Sequence, residues 1–442
     1  MVTIFCRNEQ KSHAFFIFGV DFKSNGQASM DIKIDVDSLE KRFLRYVQIN
    51  TQSAPIHSTY PSTEGQWTLL RLLKEELDSL GLEEVTLDEH GYVMAKLAGR
   101  HCPPDAPAIG FLAHVDTSPD APSDSVKPRI IPSYDGADIV LKEGVILSPS
   151  ESPDLLSYVG QRLIVTDGTT LLGADDKAGV AAIVEALRYI QSHPELPHVP
   201  LRIAFTPDEE IGEGVSYFDI TKFDASFAYT IDGGRIGELS YENFNAASAH
   251  ITIRGINVHP GEAKGKMINA ARIAVEFDTL LGATDRPEAT EGREGFFHLQ
   301  ELKGNESEAT LTYLIREFDA EIFRQREKKL EALASQLNHC YGAHTVTVSI
   351  KKQYPNMISY LTASMHIVDI AKQVFEEAGI IPDRRPIRGG TDGVRLSERG
   401  LPCPNIFAGG HNFHSVLEFL PVHSMVKASE VIVRLAHKFT RH

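Results

Sequence analysis

Acidic and imidazole side chains recur in this chain directly after short apolar runs. His114 and Asp116 follow the run 109–113, and Asp208, Glu209 and Glu210 follow 201–205. Asp232 follows 228–231, His414 follows 406–407, and Asp175 stands within LLGADDKAG (171–179), ahead of a helical pattern. Acids gathered that closely would repel one another unless a cation lay between them. Two histidines with three or more carboxylates and no thiolate suit zinc, with cobalt or manganese as substitutes. Two such ions sharing a carboxylate can polarise a carbonyl and generate a hydroxide nucleophile.

The spacing within each group carries further chemistry. Residues two apart on a strand share a face, so Asp116 can reach the second ring nitrogen of His114 and fix its tautomer. The adjacent acids Glu209 and Glu210 can divide two roles, one binding metal and the other holding the attacking water as general base. Taken singly, each feature has a plain structural reading. His-x-Asp is commonplace, Asp-Glu-Glu is ordinarily a solvated surface or helix start, Asp-Gly-Gly is a turn, and Gly-Ala-Asp-Asp suits any helix N-terminus. Their succession, each after a strand-like run, is what points to one site.

A parallel sheet would bring these residues together, because the carboxyl ends of its strands share a rim where ligands bind. The runs 108–113, 201–205, 228–231 and 403–407 read as buried strands. A helix follows PSTEGQW (61–67), where Thr63 can cap and Gln66 can answer from the third position, and Gly81 stops it. Another long helix follows Gly179. From about residue 244 the rhythm changes to a strand (249–254), a helix (267–281), two strands (297–302 and 309–316), a helix (320–338) and a strand (345–351). That order, β-α-β-β-α-β, is ferredoxin-like. The expected fold is α/β: a mostly parallel sheet domain flanked by helices, with an inserted ferredoxin-like domain. Its parts are an N-terminal extension (1–36), a first α/β segment (37–243), the insertion (244–356) and a second α/β segment (357–442).

Composition narrows the class. A chain of 442 residues is long enough for two domains, and its formal net charge of −16 argues against nucleic acid as a partner. No apolar stretch is long enough to span a bilayer. Cys6, Cys102, Cys340 and Cys403 are scattered, which disfavours disulfides and thiolate metal sites and fits a reducing cytoplasm. The apolar segment 13–20 is too short for a secretory signal core, so the extension reads as a flexible tail or an over-early start.

The motifs in series resemble those of the co-catalytic zinc exopeptidases related to carboxypeptidase G and succinyl-diaminopimelate desuccinylase. The resemblance runs from about Asp37 to the C-terminus. It rests on PSTEGQW (61–67), GFLAHVDTSP (110–119), LLGADDKAG (171–179), AFTPDEE (204–210), YTIDGG (229–234), ENFNAAS (242–248), NVHPG (257–261), IRGGTDG (387–393) and GLPCPN (400–405). It implies two Zn2+ per chain, one on His114 and Asp232, the other on Glu210 and His414, with Asp175 bridging. It implies Glu209 as general base, Asp116 behind His114, a cis peptide between Asp175 and Asp176, and the inserted domain as a lid whose His259 supports the oxyanion. Arg388 and Arg316 are candidates to pair with the terminal carboxylate of a peptide. Where the pattern usually carries a tyrosine ahead of the last metal histidine, this chain has His411, a rival ligand to His414.

The implied activity is removal of the N-terminal residue from small peptides, above all tripeptides. A dipeptidase or a deacylase of N-acyl amino acids would use the same metal motifs, and a non-catalytic peptide or metal binder would need a missing base or ligand. A small peptide is the expected partner, without nucleic acid or membrane, and a homodimer is compatible with the sequence.

Overall fold

The computed structural model describes residues 30–441. The expected extension falls almost wholly outside them, and the first helix, Val36–Val47, opens beside the expected boundary. Residues from Lys33 onward form one unit.

A seven-stranded sheet lies at its centre, in the order Glu83–Leu87, Val93–Leu97, Leu201–Thr206, Ile109–His114, Phe227–Gly233, Asn405–Phe407, Leu239–Ser240. The four strands from Leu201–Thr206 to Asn405–Phe407 run parallel. The remaining three are joined on through antiparallel pairings and form the margins. The middle strands are apolar on both faces because both are covered. On one side Leu112, Ala204 and Ala228 pack with Phe218, Phe223 and Leu396. On the other, helix Ala174–Ser192 lies against Ile109–His114, Phe227–Gly233 and helix Val422–Lys438.

Helix Glu64–Ser79 buries Leu69, Leu70, Leu73 and Leu77 and ends before Gly81, whose φ of +74° is the left-handed turn a glycine accepts without strain. Its start differs from expectation. Thr63 occupies the N-cap position, but its hydroxyl donates to the Gln52 carbonyl (2.8 Å) and makes no capping bond. Gln66 turns inward, to a destination described below.

The second layer has the expected connectivity: strand Asn245–Arg254, helix Ala270–Leu281, strands Phe296–Gly304 and Glu308–Glu317, helix Ala320–Tyr341 and strand Val346–Tyr354. Every pairing is antiparallel, in the order Phe296–Gly304, Glu308–Glu317, Asn245–Arg254, Val346–Tyr354. One face carries both helices over a core of Ile251, Ile273, Phe277, Tyr313, Leu330 and Leu337. The two passages of chain into this layer are tied by buried asparagines. Asn243 Oδ1 accepts from Met357 N–H (2.7 Å), and Asn245 Oδ1 accepts from Asn356 N–H (2.9 Å).

A third, small sheet, Phe419–Pro421, Leu163–Val165 and Arg129–Ile131, was not apparent in the sequence. Its strands are three residues long, too short to show a period. It anchors the far end of the loop that carries His414, through the pairing of Phe419 with Val165.

Gly179 shows how closely helix and sheet approach. A Cβ there would sit 1.9 Å from the Ile231 carbonyl oxygen and 2.4 Å from Asp176 Oδ1. Helix propensity alone predicts that Gly179→Ala stabilises the chain by about 1 kcal/mol. The contact reverses the sign, and a loss of about 1–3 kcal/mol is expected from overpacking. A lowered urea midpoint at unchanged m-value is the expected outcome.

Candidate metal centre

Each candidate ligand sits where its element ends. His114 closes the strand Ile109–His114 and is 3% exposed. Asp232 lies near the end of Phe227–Gly233, its N–H donating to Asn405 Oδ1 on the neighbouring strand (3.1 Å). Asp175 opens helix Ala174–Ser192 in a non-helical conformation, and the Asp175–Asp176 peptide is cis. Glu209 and Glu210 lie in the tight turn Glu209–Ile211, bracketed by Asp208 (φ +54°) and Gly212 (φ +75°). His414 stands in the loop after Asn405–Phe407 with φ +60°, a left-handed position that few side chains adopt.

These side chains converge. His114 Nε2 lies 2.9 Å from Asp175 Oδ1 and 3.4 Å from Asp232 Oδ1. His414 Nε2 lies 2.9 Å from Glu210 Oε2 and 3.5 Å from Asp175 Oδ2. Two groups therefore form, His114–Asp175–Asp232 and Asp175–Glu210–His414, each with its ligand atoms within 4.8 Å of one another. Asp175 belongs to both and offers one oxygen to each histidine.

Backbone amides hold the acids in place. The Asp116 carboxylate accepts from Glu209 N–H (3.0 Å) and Glu210 N–H (3.1 Å), while its Oδ1 lies 3.3 Å from His114 Nδ1. His114 Nδ1 lies closer still, at 3.1 Å, to the main-chain carbonyl oxygen of Asp116, so this residue meets the imidazole with backbone and side chain while its carboxylate also fixes the acidic turn. Buried Asp176 accepts from Gly179 N–H (3.1 Å) and His114 N–H (3.3 Å). Glu418, absent from the sequence reading, accepts from Leu172, Gly173 and Asp175 N–H at 2.7, 2.8 and 3.1 Å, so it clamps the segment bearing the shared acid. No motif surrounds Glu418; its only signal is a carboxylate close behind His414.

The electrostatics describe a site built for cations. Burial, then the charge of Asp175, pushes Glu210 up to about 8, and burial pushes Asp232 up to about 7. Burial also raises Glu209 well above the usual carboxylate range. Hydrogen bonds to Asp175 and Glu210 push His414 up to about 11. Burial opposes a charged His114, yet bonds to Asp116, Asp175 and Asp232 overcome it and raise the ring. Protons here occupy places that divalent ions would take. Glu210 Oε1, buried and without a hydrogen-bond partner, is a further donor atom open to an ion. Oxygen and imidazole nitrogen with no sulfur fit the zinc-type donor set.

The other expected site residues lie elsewhere. His259 is exposed, its Nδ1 accepting from Gly261 N–H (3.2 Å), and it makes no hydrogen bond or ion pair with the convergent side chains. Arg388 donates to the Gly292 carbonyl (2.8 Å) and lies over the rings of Phe244 and Phe296. Arg316 donates to the Ile315 carbonyl (3.0 Å) and lies over Tyr354 (5.5 Å). Tyr354 in turn lines a cavity of about 250 Å³ beside Glu209, Glu210, Asp392 and His414. His411 is buried, its Nε2 2.8 Å from the Tyr158 hydroxyl and its ring stacked on Phe419, outside both ligand groups; burial holds it down to about 4.

A sheet rim bearing two carboxylate–histidine groups that share one acid, with a further acid alongside, is an arrangement able to hold two metal ions. Residues 166–438 match the model of peptidase family M20/M25/M40, and the chain belongs to that family. Over nearly its whole length it is similar to proteins named peptidase T. That of Geobacillus kaustophilus (strain HTA426) is 54% identical over 403 residues, covering 91% of this chain and 98% of its own. That of Bacillus subtilis (strain 168) is 52% identical over 405 residues, with the same coverage. The fold is shared with the aminopeptidase PepT of Bacillus cereus ATCC 10987, at a TM-score of 0.72, 23% identity and coverage of 92% of this chain and 99% of that one. It is also shared with a tripeptidase of Staphylococcus aureus subsp. aureus mu50, at a TM-score of 0.73, 22% identity and coverage of 92% and 100%. The protein is a peptidase.

Because Glu210, Asp232 and both histidines hold protons more tightly than usual, ions entering the site must displace them. Calorimetric titration of zinc into chelator-stripped protein at pH 7, repeated in buffers of different ionisation enthalpy, should show net proton release. Affinity should climb with pH, because the protons held on Glu210, Asp232 and both histidines compete with the ions. Uptake without proton release would contradict the assignment.

Proposed function

We propose that this peptidase is a two-zinc aminopeptidase that removes the N-terminal residue from tripeptides, in the cytoplasm. The observation that carries the reading is the pair of ligand groups sharing Asp175, with Glu209 one residue from Glu210. In this reading His114 and Asp232 would hold one ion and Glu210 and His414 the other, with Asp175 available to both; cobalt or manganese could substitute. The names of the relatives support the substrate class. Free thiols at Cys102, Cys340 and Cys403 agree with a reducing compartment.

When bound, the ions supply a Lewis acid for the peptide carbonyl and lower the pKa of a water molecule. The chain's own residues do the rest. Glu209, facing the cavity, takes the proton of the attacking water and passes it to the leaving amine. Its raised affinity for a proton suits a group that must hold one between those steps. Asp116 keeps Glu209, Glu210 and His114 in register through the bonds given above. Residues 37–243 and 357–442 are read as the catalytic domain and 244–356 as a lid. His259 is assigned to the oxyanion when the lid meets substrate. Arg316 and Arg388 are assigned to the terminal carboxylate of the peptide; among the described residues neither has a salt bridge to a carboxylate.

Glu209→Ala should lower turnover of a tripeptide by about 10²–10⁴-fold or more, as loss of a general base does, with zinc content near that of the parent. The parent should release the first residue from tripeptides in preference to di- and tetrapeptides, and should leave an N-acetylated tripeptide uncut. Full activity in the variant rejects the base, and cleavage of the acetylated control in preference to the free peptide rejects the aminopeptidase reading.

A further inference from the structure

The helix-start motif PSTEGQW is not absorbed by the proposed chemistry, yet its glutamine ends at the catalytic turn. Gln66 is fully buried, and so is Asp208, the residue immediately before Glu209. Gln66 Nε2 donates to Asp208 Oδ1 (2.7 Å), and Asp208 N–H donates back to Gln66 Oε1 (3.1 Å). The amide side chain thereby pairs with both the side chain and the backbone of one residue. Ser62 adds its N–H to Asp208 Oδ2 (2.6 Å) and its hydroxyl to Oδ1. Asp208 accordingly accepts three hydrogen bonds at its carboxylate from Ser62 and Gln66 while its backbone stays in the left-handed region, φ +54°. That conformation is uncommon outside glycine, though aspartate is among the side chains that adopt it, and here its surroundings fix it.

The turn Glu209–Ile211 is thus held from two sides. Asp116 grips the N–H groups of Glu209 and Glu210, and Gln66 grips the residue from which the turn departs. The first hold touches both the proposed base and a proposed ligand. The second acts upstream of Glu209, on the dihedral angles that aim it. Glu210 is tied separately, by Asp116 at its N–H and by His414 at its carboxylate.

We propose that Gln66 is a positioning residue for Glu209, setting the direction of the proton-transferring carboxylate through Asp208 without contributing to metal retention. This rests on the assignment of Glu209 as the base. A misplacement of about an ångström at a reacting group can cost on the order of 100-fold in rate, so the effect should appear in kcat. Substrate binding and the ligand set should be little changed, because Gln66 touches neither.

The test compares the full-length zinc-loaded parent with Gln66→Met, which keeps the length of the side chain and removes its amide, with Ser62→Ala, which removes one donor to Asp208, and with Glu209→Gln. For each, kcat and KM on a tripeptide, zinc per chain and Tm are measured. Gln66→Met should lower kcat by about 10- to 100-fold with KM within about twofold and zinc at the parental level, while Ser62→Ala lowers kcat less in the same pattern. If Gln66→Met is too unstable to load metal, Ser62→Ala carries the same comparison. A parental kcat per zinc-loaded molecule in the variants, with only Tm reduced, overturns the positioning role and leaves the base intact. Loss of zinc in a folded variant overturns it in favour of a role in holding Glu210. Turnover by Glu209→Gln at the parental rate overturns both assignments.

Discussion

Mutual repulsion among acids is the constraint on which the structure turns. Asp175, Asp232, Glu209 and Glu210 crowd two imidazoles at the rim of a sheet, with Asp116, Asp176 and Asp392 buried nearby, in a chain of formal net charge −16. Such a group is stable with protons or with cations between its members, and the raised affinities of Glu210 and Asp232 for protons express that choice. Ions bound between them would remove the repulsion, and in the proposed reading the same acids then serve the reaction.

The scaffold answers the constraint with backbone amides. Asp116 takes two N–H groups from the catalytic turn, Glu418 takes three from the segment before Asp175, and Asp176 takes those of Gly179 and His114. Each is a buried acceptor satisfied by main-chain donors, and each lies beside a residue of the two ligand groups. The left-handed backbone at Asp208 and His414 belongs to the same economy: the first lies just past the end of Leu201–Thr206, and the second lies within the loop between Asn405–Phe407 and Phe419–Pro421. The antiparallel margins of the sheet leave the four parallel strands in the middle, so His114, Asp232, the acidic turn and the loop to His414 all leave from adjacent strands.

Much of this was legible in the sequence because chemistry and periodicity coincide. The apolar runs 109–113 and 201–205 are buried on both faces, and the acids after them mark their ends. The β-α-β-β-α-β order of the second layer was likewise visible, since its helices carry a clear apolar stripe and its strands alternate. Other features were hidden for physical reasons. Strand Glu83–Leu87 is half exposed and charged, and the small sheet around Leu163–Val165 has strands too short to show a period. Thr63 and Gln66 have the spacing of a capping pair, but burial against Asp208 redirects the glutamine, and that partner lies 142 residues away. Glu418 works through three amide donors that local sequence does not announce. His411 resembled a ligand by type and position, but its ring packs flat on Phe419 and its nitrogen faces Tyr158.

The central claim is that Asp175 is shared by two divalent ions. Crystals of the zinc-loaded protein, measured on both sides of the zinc absorption edge, test it directly. The account predicts two anomalous peaks, one beside His114 and Asp232 and the other beside Glu210 and His414, with the Asp175 carboxylate between them. A single peak, or peaks at side chains other than these five, would contradict it.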